Sequence, residues 1–415
     1  MKYIFIFAIS LAFLFIVPNC SYAQFNIKGK IKNQSNKAAN KAANKAADKG
    51  IDEAEKGVDK MYEDDEKEAV KTEEESAGES GKSEGGEEVE GVSAQEEEPL
   101  KAYSKYNFVP GDIVIFEDDL VNEENGEFPS KWDLKTGNVE IARYGDIKVI
   151  NFADVNWGKI VPLMAETGDY LPEKFTLEFD AYFSEFCTSY WITLYDLVNQ
   201  KQVSGVPNIS ISPRGVSVSN FGSTDIQTKD DAYPFWKRIA ISFNIRSLKV
   251  FYGEKRTNNI PNLRANPTGI TISGSQCHAD KQAMIKNIRI AKGNDKLYDK
   301  VVTDGKFTTN GIRFDVAKAS IRPESMGVLN EIYNMMLDHP ELRFSVEGHT
   351  DSDGDETSNK KLSEDRAKAV VSQLVSMGID TGKFEAKGFG ESNPIDNNNT
   401  PEGKANNRRV EFIKL

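Results

Sequence analysis

A carboxylate at Asp351 and a guanidinium at Arg366 are the residues in this sequence best suited to hold a small charged ligand. Just upstream, Phe344 and Val346 alternate with Arg343, Ser345 and Glu347, the period of a strand. Asp351 therefore falls past a strand end, where its side chain can face a ligand. Downstream, Ser363 reads as a helix N-cap, with Leu362 as a staple and Glu364 and Asp365 at the positive end of the dipole. That helix should end near Met377, because Gly378 suits the position beyond a C-terminus. Arg366 would then lie in its first turn. Two chemistries fit the pair. One is a salt bridge that only fixes the loop. The other is a receptor for a zwitterion, with Asp351 accepting hydrogen bonds from an ammonium and Arg366 gripping a carboxylate. Spacing does not choose between them.

Other chemistries at this stretch fit less well. Asp351, Asp353 and Asp355 begin like a calcium loop, but Glu356 and Leu362 stand where an EF-hand needs Gly and Glu. The three histidines, His278, His339 and His349, lack metal-ligand spacing, and His349 reads as a buttress of the loop. Ser363 has no partnered histidine and is better explained as a cap than as a nucleophile. Arg408 and Arg409 adjoin in the last strand and should point to opposite faces, one toward the site and the other solvated. No metal or cofactor is called for.

The elements that position these residues alternate between strand and helix. Phe307 to Phe314 begins a strand. Pro323 opens a helix with Met326, Leu329, Ile332 and Met336 on one face, and His339-Pro340 stops it. The strand before Asp351 and the helix from Ser363 follow, then short strands at Phe384 to Phe389 and Arg409 to Ile413. This order predicts an α/β domain over residues 300–415, with helices on one face of a mixed sheet. Gly293 to Asp304 reads as a link to it.

Residues 105–292 read instead as many short antiparallel strands, predicting a two-sheet sandwich. Phe175, Leu177, Phe179, Ala181 and Phe183 alternate with Thr176, Glu178, Asp180 and Tyr182. Pro213-Arg214-Gly215 marks a hairpin. The runs are short and carry Glu, Asp, Arg and Lys at outward positions, unlike the lipid-facing strands of a membrane barrel. Trp132, Trp157, Trp191 and Trp236 either stack on sugars or fill the core. No Glu-x-Asp-x-x-Glu arrangement suggests glycoside hydrolysis.

The focal stretch resembles the peptidoglycan-associating domain of the OmpA-like proteins. Gly348, His349, Thr350, Asp351, Gly354, Asn359, Leu362, Ser363, Arg366 and Ala367 match that pattern without a gap. Gly388-Phe389-Gly390-Glu391, Pro394-Ile395 and Asn399-Thr400-Pro401 through Asn407-Arg408-Arg409-Val410-Glu411 continue it. The resemblance implies that Asp351 and Arg366 hold the amino-acid end of diaminopimelate in the peptidoglycan stem peptide. Asn359, Thr350 and Arg408 would assist. The middle region resembles the concanavalin A-like lectin/glucanase jelly roll. The segments that carry this likeness are Phe116 to Asp119, Pro129 to Trp132, Phe175 to Asp180, and Trp236 to Ile241 leading to Gly253. It implies glycans as ligands.

The N-terminal part is built differently. Residues 1–23 read as a secretory signal, with Lys2, an apolar run from Ile4 to Val17, and a small-x-small site at Ser21-Tyr22-Ala23. Cys20 raises lipidation as an alternative. Removal of the signal would leave Cys187 and Cys277 to pair or to be buried apart. Residues 24–61 repeat Asn-Lys-Ala-Ala and favour helix. Between Tyr62 and Leu100 stand 16 acidic and 3 basic residues, which accounts for the whole formal charge of −13. Residues 62–104 thus read as a disordered acidic linker. With no basic stripe, nucleic acid is not an expected partner.

The sequence therefore predicts a non-catalytic protein of the periplasm or outer membrane that binds peptidoglycan. It leaves open a glycan-binding or glycosidase role for the sandwich, or a scaffolding role with envelope proteins as partners.

Overall fold

Strand-forming segments fold as expected in a computed structural model, which describes residues 106–415 apart from 154–156, 165–167, 197, 202–206, 227–232, 277, 279 and 294. The expectations for 1–23, 24–61, 62–104, Cys20 and Cys277 lie outside these residues. Fifteen strands precede Gly293 among the described residues. They are β1 (Ile113–Asp118), β2 (Trp132–Thr136), β3 (Val139–Tyr144), β4 (Ile147–Phe152), β5 (Gly158–Pro162), β6 (Lys174–Phe183), β7 (Ser189–Asp196) and β8 (Asn208–Ser212). The series continues with β9 (Gly215–Val218), β10 (Gly222–Asp225), β11 (Phe235–Asn244), β12 (Ser247–Tyr252), β13 (Lys255–Ile260), β14 (Pro267–Ser275) and β15 (Ala283–Lys292). An eight-stranded sheet runs β13-β12-β11-β6-β15-β4-β3, with β1 also beside β15. A seven-stranded sheet runs β10-β9-β8-β7-β14-β5-β2.

One hydrophobic core is shared by the two sheets. Phe175, Leu177, Phe179, Ala181 and Phe183 of β6 meet Tyr190, Ile192 and Leu194 of β7 and Ile270 and Ile272 of β14. Burial of each large apolar side chain stabilises the fold by about 1.5–3 kcal/mol. The hairpin at Gly215 forms as read: its φ of +141° is open to glycine, and a Cβ there would lie 2.1 Å from the Thr224 carbonyl oxygen.

Beyond Gly293 come α1 (Leu297–Asp304), β16 (Lys306–Thr309), α2 (Met326–Asp338), β17 (Phe344–His349), α3 (Glu356–Ser376), β18 (Phe384–Gly390), α4 (Pro401–Asn407) and β19 (Val410–Lys414). Their sheet has the order β16-β19-β17-β18. Only β17 and β18 run parallel, so the sheet is mixed. Met326, Leu329, Ile332 and Met336 are buried together, as their spacing indicates. The segment read as a plain link contains α1, because Leu297 and Val301, four apart, bury one stripe.

Thr176 and Glu178, outward by alternation, are only 0% and 1% exposed. The C-terminal elements cover that face of the eight-stranded sheet, within one compact unit. Phe251 of β12 packs edge-on against Phe108 (centroids 5.3 Å apart) and Tyr106 (5.8 Å), in the same cluster as Leu329 and Ile332 of α2. A Cβ on Gly327 would lie 1.8 Å from the Phe108 carbonyl oxygen, so α2 touches this segment backbone to backbone. At the edge strand β1, Asn406 of α4 takes the place of a missing strand. Its Oδ1 accepts from Val114 N–H (2.8 Å) and its Nδ2 donates to Val114 C=O (3.1 Å).

Candidate functional site

Two glycines set the height of α3 above its sheet. A Cβ on Gly348 would lie 2.2 Å from the Ser363 carbonyl oxygen, and one on Gly388 2.3 Å from the Glu364 nitrogen. Without side chains there, α3 rests directly on β17 and β18, and Arg366 is brought close to the loop that carries Asp351.

The start of α3 differs from the sequence reading. Asp355, not Ser363, is the N-cap, accepting from Ser358 N–H at 2.9 Å. Arg366 therefore sits well inside the helix rather than in its first turn. Both residues are good caps by type, and the earlier one wins because Asn359 and the residues after it also find partners as helix. Ser363 instead donates to the Lys360 carbonyl at 2.8 Å and accepts from Gly390 N–H at 2.8 Å, tying α3 to β18. The helix ends as expected, with Gly378 at φ +116°.

Asp351 is 8% exposed. Its Oδ1 accepts from Asp353 N–H (3.2 Å), and its Oδ2 accepts from Arg408 Nη1 (2.5 Å). The loop-fixing salt bridge thus forms with Arg408, not with Arg366. Arg366 is half-buried. Its Nε donates to the Lys318 carbonyl (3.0 Å) and its Nη2 to the Asp315 carbonyl (3.5 Å), while Phe314 lies 5.0 Å from its guanidinium carbon. Burial lowers its pKa, and the charge of Asp351 partly offsets that. Arg366 keeps its planar cation on neutral partners, which leaves the charge available to an anion.

The assisting residues divide. Asn359 donates to the Asp353 carbonyl (3.1 Å), the Asp351 carbonyl (3.5 Å) and Glu391 Oε2 (2.6 Å), so it braces the loop. Thr350 is 5% exposed and its hydroxyl has no hydrogen-bond partner. Arg408 joins the site through Asp351. Arg409, expected in solvent if Arg408 served the site, is 4% exposed and donates to Glu411 Oε1 and to the carbonyls of Asn407 and Asn393. Arg408 precedes β19 and escapes strict alternation.

His349 stacks on Phe389 at 5.4 Å, as a buttress would. Neither ring nitrogen has a hydrogen-bond partner; Glu411 is 3.7 Å from Nε2, too far for one. Burial, aided by the charge of Arg409, lowers its pKa to about 4, so the ring is neutral at pH 7.

Sequence reasoning missed a ring of arginines around this site. A cavity of about 160 Å³ is lined by Arg366, Arg408 and Arg409 together with Arg313, Arg322 and, from β15, Arg289. Arg366 and the neighbouring Arg408-Arg409 pair were legible as local signals; Arg289, Arg313 and Arg322 were not.

On the two-sheet domain the four tryptophans separate. Trp132 is buried and donates to Asp118, whose pKa burial raises to about 6. Trp236 packs on Tyr182 at 5.1 Å. Trp157 and Trp191 pair at 5.1 Å, with Trp191 41% exposed. Glu185, Cys187 and His278 lie close together, but Cys187 is disulfide-bonded and offers no thiolate. Its partner lies outside the described residues. Among the described residues no helix is long and apolar enough to cross a membrane.

Comparison with known proteins defines the class of the site-bearing part: residues 313–408 match the OmpA family, and the chain carries an OmpA family domain there. Similar proteins include probable lipoprotein YiaD of Escherichia coli, 38% identical over 25% of this chain and 47% of that protein. Outer membrane porin F of Pseudomonas aeruginosa is 43% identical over 24% and 29%. Peptidoglycan-binding protein ArfA of Mycobacterium tuberculosis is 39% identical over 26% and 32%. The chain spans about half or less of the length of these relatives.

Proposed function

We propose that the chain is a non-catalytic cell-envelope protein that holds peptidoglycan through the diaminopimelate end of the stem peptide. The observation that carries this reading is the half-buried Arg366, bound only to carbonyls, beside the carboxylate of Asp351. In this reading Arg366 grips the ligand carboxylate and Asp351 accepts from the ammonium, sharing its charge with Arg408. Thr350 backs the loop with a buried, unpartnered hydroxyl, and Asn359 keeps the loop in shape. The peptidoglycan-binding name of a relative that shares the OmpA family domain supports it. Charge-assisted hydrogen bonds contribute about 1.5–3 kcal/mol each, so one stem is held modestly and a wall of many stems by rebinding.

The proposal extends to the chain's layout. Residues 1–23 direct export to the periplasm or outer membrane, 24–61 and 62–104 form a repeat segment and an acidic spacer, 105–292 a jelly-roll-like sandwich, and 300–415 the wall-binding part. Co-sedimentation of the full chain with purified sacculi tests it. Asp351→Ala and Arg366→Ala should each lower the bound fraction about ten-fold; undiminished binding in both would refute the site.

A second reading concerns the two-sheet domain. Trp157 and Trp191 present a tilted aromatic pair, and Trp191 is flanked by Ser210 of β8 and Ser273 of β14. The exposed face of Trp191 suits a sugar ring. Glycan-array binding that falls on Trp191→Ala would support it.

A further inference from the structure

The cavity beneath the two-sheet domain has six guanidinium groups in its wall and no carboxylate among its lining residues. Several of these cations have donors left over. Arg289 of β15 uses Nε and Nη2 on Glu117, at 2.5 and 2.7 Å, which leaves Nη1. Arg313 uses Nη2 on Glu178 at 2.9 Å, and Glu178 must also serve Arg238. Arg238 has Asp180 at 3.8 Å as a second acid, whereas Glu178 is the hydrogen-bonded acid of Arg313. Burial lowers the pKa of Arg313 to about 10; Glu178 opposes that shift, and the neighbouring Arg238 and Arg289 add to it. Arg322 reaches only Glu324, and its side chain is 43% exposed.

Two further residues of the cavity wall carry buried polar atoms without hydrogen-bond partners. His349, 4% exposed, has both ring nitrogens unsatisfied. Asn310, also 4% exposed, donates to the Asp112 carbonyl at 3.1 Å, but its Oδ1 is unsatisfied. Buried polar atoms without partners are costly and rare. Guanidinium groups with unused donors around one cavity, Arg366 among them with no carboxylate partner, suit an oxyanion.

We propose that this cavity is a second subsite, built jointly by the two-sheet domain and the C-terminal domain, for a further oxyanion next to the ligand held by Asp351 and Arg366. This rests on the wall-binding reading given above. Its natural occupant is a second carboxylate of the same stem peptide. Inorganic phosphate shares the oxyanion chemistry and is the other source. Arg366 and Arg408 belong to both subsites, so the two charges of one ligand would be read together. The two-sheet domain is then part of the binding apparatus through Arg289, rather than a separate module.

Titration calorimetry on the full chain tests this with two stem tripeptides of alanine, glutamate and diaminopimelate. One has the free glutamate α-carboxylate and the other its amide. The free acid should bind about ten-fold more tightly than the amide, the size of one charge-assisted hydrogen bond. Arg322→Gln, chosen because its side chain is partly exposed, should bring the ratio toward one, and Arg313→Gln should do the same. Equal affinities in the wild type, with no binding of inorganic phosphate, would overturn the subsite. A ratio that survives both substitutions would overturn it as well. Equal peptide affinities with phosphate binding that is lost in Arg322→Gln would keep the oxyanion subsite and assign it to phosphate. Loss of both peptides in Asp351→Ala reports on the wall-binding reading alone, since it leaves the acid-to-amide comparison aside.

Discussion

On one face of the eight-stranded sheet Phe175, Phe179, Ile241 and Phe243 meet the seven-stranded sheet in an apolar core. On the other face Glu178 lies fully buried under the C-terminal elements, and Glu117, Arg238 and Arg289 are largely buried around it. Apolar packing needs only volume and shape, so the inner face tolerates many solutions. A buried ion network needs each charge answered, so the outer face admits one docking geometry. Burial opposes the charge on Glu178, yet Arg313 and Arg238 outweigh it and hold the carboxyl at about 2. Burial likewise opposes Glu117, and its bidentate contact with Arg289 keeps it below the usual carboxylate range. Arg289 and Arg313 of this network also line the cavity, so the contacts that join the two domains also shape the ligand site.

This contrast is open to direct attack. Phe179→Ala and Glu178→Ala should each cost about 3–5 kcal/mol in denaturant unfolding, the first by leaving a cavity and the second by leaving two guanidinium groups without their shared acid. Their pH dependence should separate them. Because the folded-state pKa of Glu178 is depressed, its contribution is present above about pH 4.5 and lost as pH falls toward 2. The cost of Glu178→Ala should shrink through that window, whereas the cost of Phe179→Ala should not. A smaller loss is expected from Asn406→Ala, about 1–3 kcal/mol, since it strands the N–H and C=O of Val114 at a buried edge. Faster amide exchange at Val114 is the accompanying readout. At the least buried end of the scale, Lys404→Ala removes an exposed pair with Asp353 and should change stability by less than about 1 kcal/mol. A large effect there would mean that surface charge, rather than the buried network, organises the loop.

Much of the C-terminal domain was legible because its signals are local. Alternation marked β17, the spacing of Met326, Leu329, Ile332 and Met336 marked α2, and Gly378 marked the end of α3. The start of α3 was misjudged because capping chemistry is degenerate: Asp355 and Ser363 both qualify, and contacts of the following residues decide. The partner of Asp351 was misjudged because Arg408 is 57 residues away and reaches the loop only when β19 pairs with β17.

By itself the sequence determined most strands and the helices α2 and α3, the α/β character of the last part, and the availability of Asp351 and Arg366. Each of these depends on periodicity or residue type within a short window. Tertiary structure alone decided that Glu178 is buried, that Arg408 answers Asp351, and that Arg289 joins arginines far along the chain around one cavity. Alternation assigns a side chain to a face of a sheet but does not say what covers that face. Only the docking of a second domain turns a charged outer surface into an interior.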